Sequence, residues 1–346
     1  MDTQTGQTSR RQFHLLELIG EGAFGEVYLA EQDSGAGFRR KVAIKLLHTD
    51  VAAMSKDAGR RMRDEARILG RLSHRNIVTV LDLIMLGDRW AIIMDFVPGA
   101  DLEMVLEALD KANESFPLPA ALEIGTAVMN ALDAVFVADD GNGNPMGVIH
   151  RDIKPSNVRL TADGEIKILD FGVAHVNMDT REAQTRATGW IGTERYMSPE
   201  RILCEGDGAP GDVYAAVSTI AELLLGRPLG RTPVLEDRHG PWIEEALTEI
   251  RGRVEGDEAV IDEVLDWMRR GLAALPEDRP TARELSNAIG PLARKLPGES
   301  VEAFSRRFMP SIDAILGHER RPATGVLSEV SGNTVAQRGM ASSSVP

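Results

Sequence analysis

Cysteine is almost missing from this chain. Cys204 stands alone among 346 residues, so no internal disulfide can form, and a reducing, cytoplasmic setting is expected. Apolar runs are short: none approaches the ~18 residues of a membrane span. The N-terminal stretch M-D-T-Q-T-G-Q-T-S-R-R lacks the apolar core of a signal peptide. Neither H-E-x-x-H nor C-x-x-C spacing occurs around the seven histidines, which excludes the usual zinc patterns. Positive charge is in deficit too. The net charge is −14, and residues 1–97 hold 14 basic and 13 acidic side chains, so the excess acid lies beyond them. Nucleic acid and anionic membrane are therefore not expected as main partners.

What is present divides into two parts. Residues 1–12 are polar and read as a flexible arm. From 13 to 97 the text is strand-rich: F-H-L-L-E-L-I-G, E-V-Y-L-A-E and F-R-R-K-V-A-I-K-L-L, then I-V-T-V-L-D-L-I-M and R-W-A-I-I-M-D-F-V. Gly and Asp-Ser-Gly turns separate them. Between the third and fourth strands, residues 57–70 have helical spacing, with Met62, Ala66 and Leu69 on one face. After Pro98-Gly99 the pattern turns helical, at 101–112, 120–138, 212–225, 241–250, 257–272 and 281–294. The insertion D-D-G-N-G-N-P-M-G at 139–147 is a loop by composition. Residues 297–320 can form extra helices, and 321–346, rich in Ser, Thr and Gly, read as a disordered tail.

Four motifs carry chemistry. G-E-G-A-F-G-E-V at 20–27 has the glycine spacing of a phosphate-binding loop. The residues after it suit a strand, so a strand–loop–strand flap is expected, not the strand-to-helix turn of a dinucleotide site. Lys45, in V-A-I-K, lies on a core strand where a lone ammonium is costly. Glu65, on the following helix, is its expected partner. H-R-D-I-K-P-S-N at 150–157 sets Asp152, Lys154 and Asn157 together, and D-F-G follows at 170–172. An aspartate can accept a hydroxyl proton, a lysine can neutralise a moving phosphoryl group, and Asn157 and Asp170 offer the hard oxygens that Mg²⁺ prefers.

Together these motifs resemble those of the eukaryotic-type (Hanks-type) serine/threonine protein kinases, over about residues 13–295. The resemblance implies an α+β, bilobal fold. The small β-rich lobe, 13–97, would have five strands and one helix, and the larger lobe, 98–296, would be mainly α-helical. It also implies ATP and Mg²⁺ as cofactors and proteins as substrates. Catalysis would fall to Asp152 and Lys154, and the metal to Asn157 and Asp170. ATP would lie on Ile19, Gly20, Glu21, Gly22, Ala23, Phe24, Gly25 and Val27, on Lys45 with Glu65, on the hinge residues Asp95 and Val97 behind Met94, and on Asp101. Glu200, in S-P-E where the family usually has A-P-E, would pair with Arg279, and Asp212 would brace the catalytic loop.

Lys154 and Gly192-Thr193 point to serine or threonine as acceptor, with Thr193 bridging Asp152 and Lys154. Ser156, where several arginine-directed kinases carry glutamate, removes one reason to expect basic substrates. Arg151 implies phosphate control, with Thr185 or Thr188 as autophosphorylation sites. A regulatory partner is expected at the C-terminal region. Three other readings were weighed: a catalytically silent scaffold, a kinase-fold enzyme for small molecules, and a Rossmann-type oxidoreductase. The complete set Lys45, Asp152, Asn157 and Asp170 argues against the first. The long segment between D-F-G and S-P-E argues against the second, and the strand after the glycine loop against the third.

Overall fold

A computed structural model describes residues 11–22, 25–33, 37–48, 70, 72–87, 89–139, 143, 147–170, 193–206, 208–317 and 322–328. The expected helix at 57–70, with Glu65, falls almost wholly outside these residues, as does most of the 139–147 insertion.

The small lobe is an antiparallel sheet. Its strands β1 (Gln12–Gly22), β2 (Gly25–Asp33), β3 (Arg39–Leu47), β4 (Val80–Leu86) and β5 (Arg89–Asp95) are the five expected. They lie in the order β4-β5-β3-β2-β1. Strand alternation decides what each face carries. Val42, Ile44 and Leu46 of β3 join Phe13, Ala30, Ile84 and Ile93 in a core belonging to this lobe. Ala43 and Leu47 turn the other way, into the core continuous with the large lobe. Lys45 shares their side, so the period of two aims its ammonium at the cleft.

In the large lobe, strands β6 (Ala100–Asp101), β7 (Val158–Leu160) and β8 (Ile166–Ile168) form a small sheet that the sequence reading did not foresee. Helix α1 (Leu102–Ala112) begins at Asp101, whose side chain caps it. Helix α2 (Leu118–Val137) is long and apolar enough to cross a membrane by composition. Its buried residues run along its whole length, and α4 (Ala209–Leu225) and α7 (Ala282–Ala293) pack on it. It is the core helix of this lobe. Helices α3 (Pro199–Ile202), α5 (Glu236–Arg253) and α6 (Glu258–Gly271) complete the body. Helix α5 starts five residues before the expected 241 and runs through Pro241. Buried His239 anchors that turn, its two ring nitrogens 3.1 and 2.8 Å from the carbonyls of Pro233 and Leu272.

Beyond the two lobes, helix α8 (Val301–Phe308) lies against α2 and helix α9 (Ile312–Leu316) against α1. Phe304 is fully buried, with its ring 4.8 Å from Phe116. The Val301 N–H donates to Glu123 at 2.7 Å, and Arg307 pairs with Glu114 at 2.9 Å. The expectation of a disordered tail from 321 onward is corrected over its first residues. Pro322–Ser328 is strand β9, which adds antiparallel to β1 with Phe13 opposite Leu327 and Leu15 opposite Gly325. Composition suggested disorder, but an open sheet edge offers backbone partners regardless of side-chain polarity. Leu327 also packs on the small-lobe core. Residues 329–346 lie outside the described residues. Deleting 322–346 is expected to cost about 1–2 kcal/mol through lost apolar burial. A melting temperature equal to that of the full chain would contradict this.

Candidate active site

The loop before β7 is held from beneath. Asp212, in the first turn of α4, is buried, and it accepts the backbone N–H of His150 at 2.5 Å and of Arg151 at 2.8 Å. The Arg201 guanidinium stands 3.8 Å away. Desolvation pushes the Asp212 carboxyl above the ordinary range, against the pull of Arg201 and His150. This bracing fixes Arg151 at φ +69°, a left-handed conformation that a side chain adopts only when its surroundings enforce it.

His150 is a second support, one that sequence reasoning missed. It is fully buried, and burial lowers its pKa despite Asp212. The Asp152 N–H lies 3.3 Å from Nδ1 and the Leu169 carbonyl 2.9 Å from Nε2. A neutral ring protonated on Nε2 satisfies both contacts. One imidazole thus ties Asp152 to the residue preceding Asp170. The signal was in the text, since a histidine after the apolar V-I of 148–149 is placed for burial.

Asp152 lies at the centre. Its Oδ2 accepts from Lys154 Nζ at 2.9 Å and from Asn157 Nδ2 at 2.9 Å, and Asn157 also donates to the Asp152 carbonyl at 2.6 Å. Oδ1 is buried without a hydrogen-bond partner among the described residues. Such an atom is expensive in a folded interior, and it suits an oxygen kept for an incoming donor. With its Nδ2 spent on Asp152 and its main-chain carbonyl on the Leu169 N–H, Asn157 retains its side-chain Oδ1 for a cation.

Asp170, at φ +52°, receives Lys45 Nζ at 2.8 Å. Desolvation opposes its ionisation, but the charge and hydrogen bond of Lys45, with His150 and Lys154, hold its pKa below the ordinary value. Glu65, the expected partner of Lys45, lies outside the described residues. The hard oxygens of Asn157 and Asp170 fit a Mg²⁺ ion, and the ammonium of Lys45 adds positive charge where phosphates would need it.

The flap over this centre has one sterically required glycine. A Cβ on Gly25 would fall 2.1 Å from the Leu46 carbonyl oxygen, whereas at Gly22 it would meet nothing within 4 Å. Gly22 therefore leaves open space, not packing. Ile19 and Val27 pack on the same core as Met94 and Val97, and Glu21 is exposed. Ala23 and Phe24 fall outside the described residues. Asp95 ends β5, its N–H bonded to the Thr79 carbonyl at 3.0 Å. Asp101 spends Oδ1 on capping Met104 at 2.9 Å, and burial raises its pKa.

On the far side, Glu200 and Arg279 form the expected pair, with two parallel contacts of 2.7 and 2.8 Å. Arg279 further donates to the carbonyls of Ala273, Pro210 and Ala274, so all five of its N–H groups are used. Thr193 opens a short helical turn to Tyr196, but its side chain, like Thr185 and Thr188, is outside the described residues. Tyr196 donates to Glu222 at 2.5 Å, a contact the sequence reading did not anticipate.

Residues 13–288 match the protein kinase domain. The chain belongs to the protein kinase family, within its bacterial Hanks-type branch. It is 34% identical over 273 residues to serine/threonine-protein kinase PknH of Mycobacterium bovis, covering 77% of this chain and 41% of that one. Tyrosine-protein kinase MasK of Myxococcus xanthus is 30% identical over 279 residues, covering 80% and 42%. The chain thus spans less than half the length of these two curated relatives. The crystal structure of the Mycobacterium tuberculosis PknI kinase domain superposes with a TM-score of 0.57 at 28% identity, covering 81% of this chain and 96% of that one. Members of this family use ATP and Mg²⁺.

Proposed function

We propose that this chain is a serine/threonine protein kinase that transfers the γ-phosphoryl group of ATP to protein hydroxyls. The observation that carries the reading is the Asp152 carboxylate. Lys154 and Asn157 fix one of its oxygens, while the other has no hydrogen-bond partner among the described residues. That second oxygen accepts the hydrogen of a substrate hydroxyl and aligns it for in-line attack. Lys154, beside it, faces the charge that moves with the phosphoryl group. Asn157 and Asp170 would hold Mg²⁺, which when bound neutralises phosphate oxygens. Lys45 meets the phosphates from the small lobe, and Asp95 and Val97 receive the base. Positioning and charge supply the rate acceleration, with no covalent enzyme intermediate.

The choice of serine or threonine rests on Lys154 and Gly192-Thr193, and the tyrosine-kinase name of one relative makes it worth testing. Incubation with ATP and Mg²⁺ followed by mass spectrometry reads the acceptor directly. Phosphoserine or phosphothreonine is the expected product. Phosphotyrosine alone would overturn the acceptor assignment, and no phosphorylation at all would overturn the enzyme.

Thr185 or Thr188 is the proposed autophosphorylation site, with Arg151 as the docking cation. At least one of the two should carry phosphate in active protein, and the double Thr→Ala variant should lose most of its activity. Full activity in that variant would remove the regulatory reading. A regulatory partner at the C-terminal region would not meet Phe304, Phe308, Met309 or Ile312, which are buried.

A further inference from the structure

The segment that joins the lobes runs into β6, which pairs antiparallel with β7, and an arginine of β7 contacts it. Val158 and Leu160 of β7 are fully buried, and the alternation of the strand turns Arg159 to the opposite face. There its Nε donates to the Val97 carbonyl at 2.8 Å, and a terminal nitrogen donates to the Gly99 carbonyl at 2.5 Å. Asp101 stands opposite Arg159 in the β6–β7 pairing. The joining segment lies so close to β7 that a Cβ on Gly99, at φ +107°, would fall 2.1 Å from the Leu160 carbonyl oxygen. Two residues before Arg159 comes Asn157, the proposed metal ligand. One guanidinium therefore connects the segment proposed to hold the base with the strand that begins at the metal site. Strand formation alone does not call for a partly desolvated cation here.

We propose that Arg159 is a positioning and specificity residue of the nucleotide site. It holds residues 97–99 in register with Asn157, and it occupies the two linker carbonyls at Val97 and Gly99. A cation beside a carbonyl oxygen weakens that oxygen as an acceptor for a second donor. The linker then offers N–H groups to a purine but poor acceptors at 97 and 99. Guanine presents N1–H and C2-amino donors where adenine presents a bare N1 acceptor and a C–H, so guanine loses the acceptors it needs, and an unpaired polar group discriminates strongly. This inference rests on the kinase reading above.

The test uses the full chain, with titration calorimetry of ATP and GTP in Mg²⁺ and with KM and kcat for both nucleotides, on wild type, Arg159→Leu and Arg159→Lys. In Arg159→Leu the ATP dissociation constant is expected to rise about tenfold. GTP should lose less, so that the preference for ATP narrows, and KM for ATP should move more than kcat. Arg159→Lys, whose head group can serve one carbonyl in place of two, should fall between. Equal losses for both nucleotides, or unchanged ATP affinity in a variant that melts like wild type, would overturn the proposal. Should Arg159→Leu fail to fold, Arg159→Lys decides by the same ratio of ATP to GTP. A wild type that binds neither nucleotide would sink the kinase reading itself, a result distinct from equal losses among the variants.

Discussion

Replacing Asp152 by asparagine is expected to abolish phosphoryl transfer while ATP binding persists. The substitution keeps size and shape, and Lys45 and Asp170, on the nucleotide side, are not altered. What changes is Oδ1 or Oδ2: one carboxylate oxygen becomes an NH₂ group, which cannot accept the substrate hydrogen. If that NH₂ takes the Oδ2 position, it also faces the donors of Lys154 and Asn157, now at 2.9 Å. Loss of a positioned general base typically costs about 10²–10⁴ in rate. Peptide phosphorylation, measured alongside calorimetric ATP affinity, separates the two effects. A variant that phosphorylates at near-normal rates would show that Asp152 is not the base.

The second large effect is one of stability. Arg279→Ala is expected to destabilise the fold by about 3–5 kcal/mol, because it leaves the Glu200 carboxylate without its main partner. The arginine side chain is 0% exposed, and the change also strips donors from the carbonyls of Ala273, Ala274 and Pro210. Thermal unfolding should register a drop on the order of 10 °C. A melting point within about 2 °C of wild type would contradict the bracing role. The pair also carries a pH signature. Desolvation raises the Glu200 pKa, but hydrogen bonds from Arg279 and Ser198 outweigh it and hold the folded value below the ordinary one. The stabilisation from Glu200 is therefore complete above the ordinary glutamate range and is lost as pH falls through the depressed folded value. Acid titration of wild type against Arg279→Ala should show the gap between them closing at low pH.

The catalytic centre was legible because its members are neighbours in sequence. Asp152, Lys154 and Asn157 lie within one loop, so their spacing already dictates contact. The strands of the small lobe were legible for a similar reason, since alternation along β3 assigns Val42, Ile44 and Leu46 to one face without any knowledge of the partner strand. Longer-range pairings were less accessible. The pairing of Lys45 with Glu65, read from helix spacing, lies outside the described residues, and the contact of Lys45 with Asp170, far along the chain, was not read from the text. Arg159, written V-R-L, looks like the solvent side of a strand. Only the path of the joining segment alongside β7 shows what it touches. Strand β9 left still less trace, because its partner supplies backbone groups that carry no sequence signature. Helix α5 runs through Pro241, and His239 beside it is held from two sides, contacts that a local reading of H-G-P cannot register.

Strand β9 has a consequence for the solution behaviour of the chain. It reaches β1 through the few residues that follow Gly317, the residue that ends α9. A strand on so short a tether is present at its docking edge at an effective concentration in the millimolar range. Any strand from another molecule, at cellular or laboratory concentrations far below that, must compete with it. The chain therefore supplies its own competitor for the β1 edge, with β9 as the outer strand in its place. Shortening the C-terminus would then show first as self-association on a sizing column, ahead of any change in the chemistry at Asp152.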